Sequence, residues 1–130
     1  MSVPFISEGR ERAFGSDTSA VFDLKYVQGC AVVAAAGEVD LSASSVLHEV
    51  LTEAAEYADR IIIELTAVTL IASSGMNVMV DALNQHHHRQ RGTLCLVGLT
   101  RGVREVLDIA DLTTQFPIYP SVREAVAELA

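Results

Sequence analysis

The sequence predicts an α/β fold: a single domain built on a central mixed sheet of four to five strands, with about four helices packed against it. Three observations carry that expectation. Two strand-like segments near the start are joined by Gln28-Gly29, the mark of an antiparallel hairpin. Helical and strand-like stretches then alternate, which calls for crossover connections and parallel pairing. The third observation is size. A chain of 130 residues, 50% hydrophobic and 20% charged, suits one packed core and is too apolar to stay unfolded.

Each element follows from its own pattern. Residues 1–19 are polar, broken by Pro4, Gly9 and Gly15, and show no period, so a loose tail is expected there with the domain occupying 20–130. Phe22, Leu24 and Tyr26 alternate with Asp23 and Lys25, giving a strand with one wet face. Cys30 to Ala36 is a continuous apolar run that stops at Gly37, a buried strand. After Asp40 the period lengthens: Val46, Leu47, Val50, Leu51 and Ala54 mark a helix that Asp40 or Ser42 would cap. Ile61-Ile62-Ile63, between Arg60 and Glu64, is the next buried strand. Thr66 to Gly75 reads as a small-residue loop, followed by a helix with Met76, Met79, Val80 and Leu83 on its apolar stripe. That helix runs into the polar stretch 86–91, and Leu94 to Val97 supplies another strand. Val103, Val106, Leu107 and Ala110 mark a third helix. Phe116 to Tyr119 is an edge strand at best, because Pro117 has no N–H to donate. Ser121 and Glu124 form a capping box for a last helix through Val122, Ala125, Val126 and Leu129.

Charge narrows the function. A formal net charge of −8 repels nucleic-acid phosphate and anionic lipid, so no nucleic-acid partner is expected. No apolar run approaches the ~20 residues that span a bilayer, so no membrane insertion is expected. The first nineteen residues lack the apolar core of a secretory signal, so a cytoplasmic location is expected. In open α/β sheets, ligands gather beyond the carboxyl ends of the strands. There the chain carries no glycine-rich dinucleotide loop, no phosphate loop and no G-x-S-x-G elbow, so neither a cofactor nor an enzymatic activity is expected.

Two clusters invite a sharper reading and do not sustain it. His86, His87 and His88 would point about 100° apart around a helix and cannot all converge on one ion; a solvated helix end is expected and no metal site. Cys30 and Cys95 lie in apolar strands, where cysteine acts as a small hydrophobe, and a redox pair would need Cα atoms within ~7 Å.

Gly37-Glu38-Val39-Asp40-Leu41 resembles a G-E-[LIV]-D-x segment. The stretch from Ile63 through Glu64-Leu65-Thr66 to Ala72-Ser73-Ser74-Gly75 resembles the pattern L-D-L-S-x-[LV]-x-[FY]-[IM]-D-S-[ST]-G. Leu96-Val97-Gly98 followed by Val103-Arg104-Glu105-Val106-Leu107-Asp108 completes the likeness, which spans about Phe22 to Leu129. These motifs together resemble the STAS domain, in particular the bacterial anti-sigma factor antagonists. The resemblance implies a STAS-like domain over 20–130 acting as a switchable binding module and not as an enzyme. Its implied partner is an anti-sigma factor of the ATP-dependent serine-kinase type. The unmodified antagonist binds that partner and so frees a sigma factor for transcription; the phosphorylated form lets go.

Ser73 matches the family's phosphorylated serine, and Ser74 beside it is the alternative acceptor. Read without the resemblance, both are helix N-caps. One departure stands out: the family's aspartate before the acceptor is Ala72 here. The expected partner surface comprises Glu38, Asp40, Ser42, Ala72, Ser73, Ser74, Gly75, Met76 and Asn77. Two other readings accompany this one: an accessory subunit of a membrane transport complex, and an antagonist controlled by Cys30 and Cys95 through redox chemistry in place of phosphorylation.

Overall fold

The computed structural model describes residues 11–15, 17–89 and 92–129. Its elements run β1 (Glu11–Phe14), β2 (Ala20–Val27), β3 (Cys30–Val39), α1 (Leu41–Tyr57), β4 (Arg60–Ile71), α2 (Ser73–Arg89), β5 (Thr93–Val97), α3 (Arg101–Ile109), β6 (Ile118–Tyr119) and α4 (Val122–Leu129). The six strands lie side by side in sequence order. β1, β2 and β3 pair antiparallel, while β3, β4, β5 and β6 pair parallel, so the sheet is mixed as expected.

The hairpin forms where Gln28-Gly29 predicts it. Gln28 (φ 48°) and Gly29 (φ 81°) both take the left-handed region, as a two-residue turn matched to sheet twist requires. The sheet gains one strand beyond the four to five expected. Glu11 to Phe14, read in the sequence as tail, pair with Lys25 to Phe22. Arg12 ties this edge to α1 through an ion pair with Glu53 and lies over the Phe14 ring. Backbone pairing at an edge needs no apolar alternation, which is why the sequence did not announce it. Of the expected tail, residues 1–10 and 16 lie outside the described residues.

Two cores flank the sheet. On one face Phe22, Leu24, Val33, Ile61, Ile63 and Leu96 pack against Leu47, Val50, Met79, Leu83, Val103 and Leu107 of α1, α2 and α3. On the other face Cys30, Val32, Ile62, Cys95 and Val97 pack against Ala125 and Val126 of α4. The isoleucine run is thereby explained: Ile61 and Ile63 serve one core and Ile62 the other, each side chain contributing about 1.5–3 kcal/mol on burial.

β4 is longer than the sequence suggests. It continues through Ile71, so most of the expected loop is strand, and α2 begins at Ser73 and not at Met76. The register against β3 shifts between Ala34 and Ala36 and again between Gly37 and Glu38. Such bulges break the two-residue period by which a strand is recognised.

Both cysteines are fully buried and unbridged. β4 runs between their strands, and two strand spacings of ~4.8 Å hold the backbones roughly 10 Å apart, beyond disulfide reach. The fold therefore does not bring Cys30 and Cys95 together as a redox pair. Burial raises the Cys30 thiol pKa against the pull of Arg60, and pushes Cys95 up to about 12, so both are poor nucleophiles. The histidine run also differs from expectation: His87 and His88 are exposed, but His86 is buried. Among the described residues no cluster of three or more His, Cys, Asp or Glu side chains is placed to hold a metal ion, and no helix is long and apolar enough to cross a membrane.

Candidate functional site

Parallel pairing of β3 and β4 sets their carboxyl ends side by side. Glu38 lies opposite Leu70 and Val39 opposite Ile71, and the Ala72 N–H donates to the Val39 carbonyl at 2.9 Å. Each strand passes almost at once into a helix, so α1 and α2 begin next to each other. Two motifs some thirty residues apart in sequence thus form one surface.

Asp40 caps α1. Its carboxylate accepts from the Ala43 N–H at 3.1 Å and from the Ser42 hydroxyl at 2.9 Å. The Ser19 hydroxyl, with these two donors behind it, holds the Asp40 carboxyl below the usual carboxylate range. Of the two candidate caps, Asp40 takes the role and Ser42 supports it.

At the start of α2 the cap position belongs to Ala72. Its carbonyl accepts from the N–H groups of Gly75 and Met76 at 3.0 and 3.1 Å, but a methyl side chain offers no acceptor to the first turn. Ser73 follows and is exposed. Ser74 is half-buried, turned toward α1, and its hydroxyl is hydrogen-bonded to that of Ser44 at 2.8 Å. The Ser44 hydroxyl also donates to the Asp40 carbonyl at 2.7 Å, so the two helix starts are laced together. The adjacent serines therefore have different situations: Ser73 is open to solvent and Ser74 is engaged.

The remaining predicted residues divide. Glu38, Ser42 and Asn77 are exposed; Asp40 and Ala72 are half-exposed at the junction. Gly75 is buried and cannot offer surface. A Cβ there would lie 2.7 Å from Val39 Cγ1, so glycine permits the first turn of α2 to close on the end of β3. Met76 is half-buried and packs against the larger core. Two residues escaped the sequence reading. Leu41 is 78% exposed and Leu70 46% exposed, both beside the junction. The signal for Leu41 was available: it falls well off the stripe of Ala43, Leu47, Val50 and Ala54 that α1 buries.

The sequence profile of the STAS domain matches residues 22–125. The chain belongs to the STAS domain family. Solved structures agree on the fold. An anti-sigma factor antagonist from Mycobacterium paratuberculosis superposes with TM-score 0.77 at 21% identity, covering 85% of this chain and 94% of that one. The Bacillus cell-fate determinant SpoIIAA in its phosphorylated form gives TM-score 0.66 at 17% identity, covering 84% and 99%. A sulfate transporter family protein from Wolinella succinogenes gives 0.68 at 17% identity, covering 78% and 84%. No curated protein matches the sequence. In this STAS domain the family's two sequence signatures are the two walls of the junction between β3, β4 and their helices.

Proposed function

We propose that this STAS domain is an anti-sigma factor antagonist. It binds an anti-sigma factor of the ATP-dependent serine-kinase type and so releases a sigma factor for transcription; it is a binding module and a kinase substrate, not an enzyme. The observation that carries this reading is the exposed Ser73 at the start of α2, on the junction whose strand ends and helix starts also carry Glu38, Asp40 and the exposed Leu41 and Leu70. Leu41 and Leu70 supply apolar anchors, and the polar groups around them form a rim.

The switch follows from charge. The partner's ATP gives its γ-phosphoryl group to Ser73 Oγ, the hydroxyl proton leaves to a base on the kinase, and ADP departs. The phosphoserine carries about −1.5 to −2 charges into a face that must be desolvated on binding and already holds Asp40 and Glu38. A cost of ~1.4 kcal/mol weakens the complex tenfold. Ser73 is favoured over Ser74 as acceptor because Ser74 is tied to Ser44. Likeness to the sulfate transporter family protein supports a second reading, a subunit docking on a transport complex.

The test is incubation with an anti-sigma serine kinase and ATP, with phosphate mapped by mass spectrometry and complex formation followed with ADP. Phosphate on Ser73, its loss in Ser73→Ala, and a complex weakened at least tenfold by Ser73→Glu are the expected results. No complex with any such kinase, together with co-purification of a transporter, would establish the second reading instead.

A further inference from the structure

Ser44 lies in the first turn of α1, outside both sequence signatures, and is only 5% exposed. Its hydroxyl has two polar neighbours, the Asp40 carbonyl at 2.7 Å and the Ser74 hydroxyl at 2.8 Å. A serine hydroxyl has one proton to give and a carbonyl only accepts, so that proton goes to Asp40. The bond to Ser74 then has a single direction: Ser74 Oγ donates and Ser44 Oγ accepts. The chain of hydroxyls runs inward from Ser74 through Ser44 and ends on a backbone carbonyl, which takes no proton. One residue away the Ser73 side chain is exposed, and among the described residues nothing engages its hydroxyl. Phosphoryl transfer needs an attacking oxygen that turns a lone pair to the γ-phosphorus and its proton to a base on the kinase. Ser73 can do both from solvent. Ser74 has its proton aimed into the protein, where Ser44 cannot pass it on, and must break that bond before a base on the partner can reach it.

We propose that Ser44 determines which of the two adjacent serines is modified: by holding the Ser74 proton inward it silences Ser74 and leaves Ser73 as the acceptor. Ser44 is buried behind Ser74 and touches no reacting atom, so it is a positioning residue. The kinase belongs to the antagonist reading above, on which this role rests; the selectivity comes from the direction of the hydroxyl chain alone.

The test uses the full chain as parent, Ser44→Ala and Ser44→Thr, each incubated with an anti-sigma serine kinase and ATP, with phosphate on each serine read by mass spectrometry. Ser44→Ala keeps the backbone N–H that donates to the Asp40 carbonyl at 2.9 Å, so α1 still begins in the same place. Phosphate in the parent is expected chiefly on Ser73. In Ser44→Ala the ratio of phosphate on Ser74 to phosphate on Ser73 should rise about three- to tenfold, the worth of one hydrogen bond between neutral groups. Ser44→Thr should restore the parent's ratio, because a helical threonine bonds the carbonyl four residues back and keeps an oxygen for Ser74. A second measurement needs no kinase. Ser73→Cys and Ser74→Cys are alkylated with iodoacetamide, each alone and combined with Ser44→Ala; Cys30 and Cys95 are fully buried and contribute little. The thiol of Ser73→Cys should react at least about tenfold faster than that of Ser74→Cys, and Ser44→Ala should speed only the latter. A phosphate ratio unchanged in Ser44→Ala, a ratio in Ser44→Thr as high as in Ser44→Ala, or alkylation of Ser74→Cys that Ser44→Ala leaves unchanged would each overturn the proposal. Phosphate on neither serine, with alkylation as expected, sinks the antagonist reading and leaves the hold of Ser44 on Ser74 standing.

Discussion

α1 and α2 begin side by side at the ends of neighbouring strands, yet they begin differently. At α1 a carboxylate, Asp40, accepts from the Ala43 N–H and is itself held charged by Ser19 and Ser42. At α2 the matching position is Ala72, which offers only its backbone, and the next residue is an exposed serine. The first arrangement satisfies the helix from within. The second leaves the positive pole of α2 free to meet a negative group supplied from outside, by a modification or by a partner. One helix start is capped from within; on the proposed function, its neighbour is the place where modification acts.

The largest expected effect comes from disturbing the contact that sets the two starts together. Gly75→Val places branched carbon where a single Cβ already comes within 2.7 Å of Val39. Overpacking of this kind costs about 1–3 kcal/mol, and the urea midpoint should fall accordingly. An unchanged midpoint would mean that the end of β3 can yield, and that the junction is softer than its geometry implies. Next in size is Ser73→Glu, which should weaken anti-sigma binding at least tenfold while leaving the urea midpoint within about 0.5 kcal/mol of the parent. If binding and stability fall together, Ser73 is a structural cap and not a switch.

How far the sequence led depended on whether each signal was local. The alternation of Phe22, Leu24 and Tyr26, the Gln28-Gly29 turn and the Ser121 cap are local, and each took its expected form; Ser121 Oγ accepts from the Glu124 N–H at 3.2 Å. β1 was hidden because edge pairing uses backbone groups common to every residue. The second half of β4 was hidden because its bulges scramble the two-residue period. At the site, the two motifs were legible but their adjacency was not, since only the parallel register of β3 and β4 brings Glu38 beside Leu70. The burial of Gly75, the engagement of Ser74 by Ser44 and the separation of the cysteines by β4 are tertiary facts of the same kind.

Ala72→Asp converts the second helix start into the first. An aspartate there can accept from the N–H groups of the opening turn of α2, which Ala72 cannot, and the chain should gain about 1 kcal/mol by urea unfolding. The same carboxylate would stand next to Ser73 and compete with a phosphate for those N–H groups. A gain in stability with slower release of the partner on phosphorylation would show that the missing cap is what receives the phosphate. A gain in stability with unchanged release would place the switch wholly in repulsion at the contact face.

The smallest effect concerns Asp40 and is read through pH. Its folded pKa is lowered, first by the Ser19 hydroxyl and then by the Ala43 N–H and Ser42, so folding favours the ionised form. That contribution is fully present above the ordinary carboxylate range, near pH 4, and is lost as pH falls through the lower folded value. Many other carboxylates titrate in the same window, so the informative quantity is the difference between the parent and Asp40→Asn. Asparagine still caps a helix but cannot ionise. Urea unfolding at steps from pH 7 to pH 3 should show the parent ahead at the upper end and the two converging at the lower. Ser19→Ala removes the leading donor and should move the Asp40 titration, followed by NMR, upward toward the ordinary range. Parallel curves for parent and Asp40→Asn, with no shift in Ser19→Ala, would mean that the charge at the start of α1 is idle, and the contrast between the two helix starts would reduce to the presence or absence of a neutral cap.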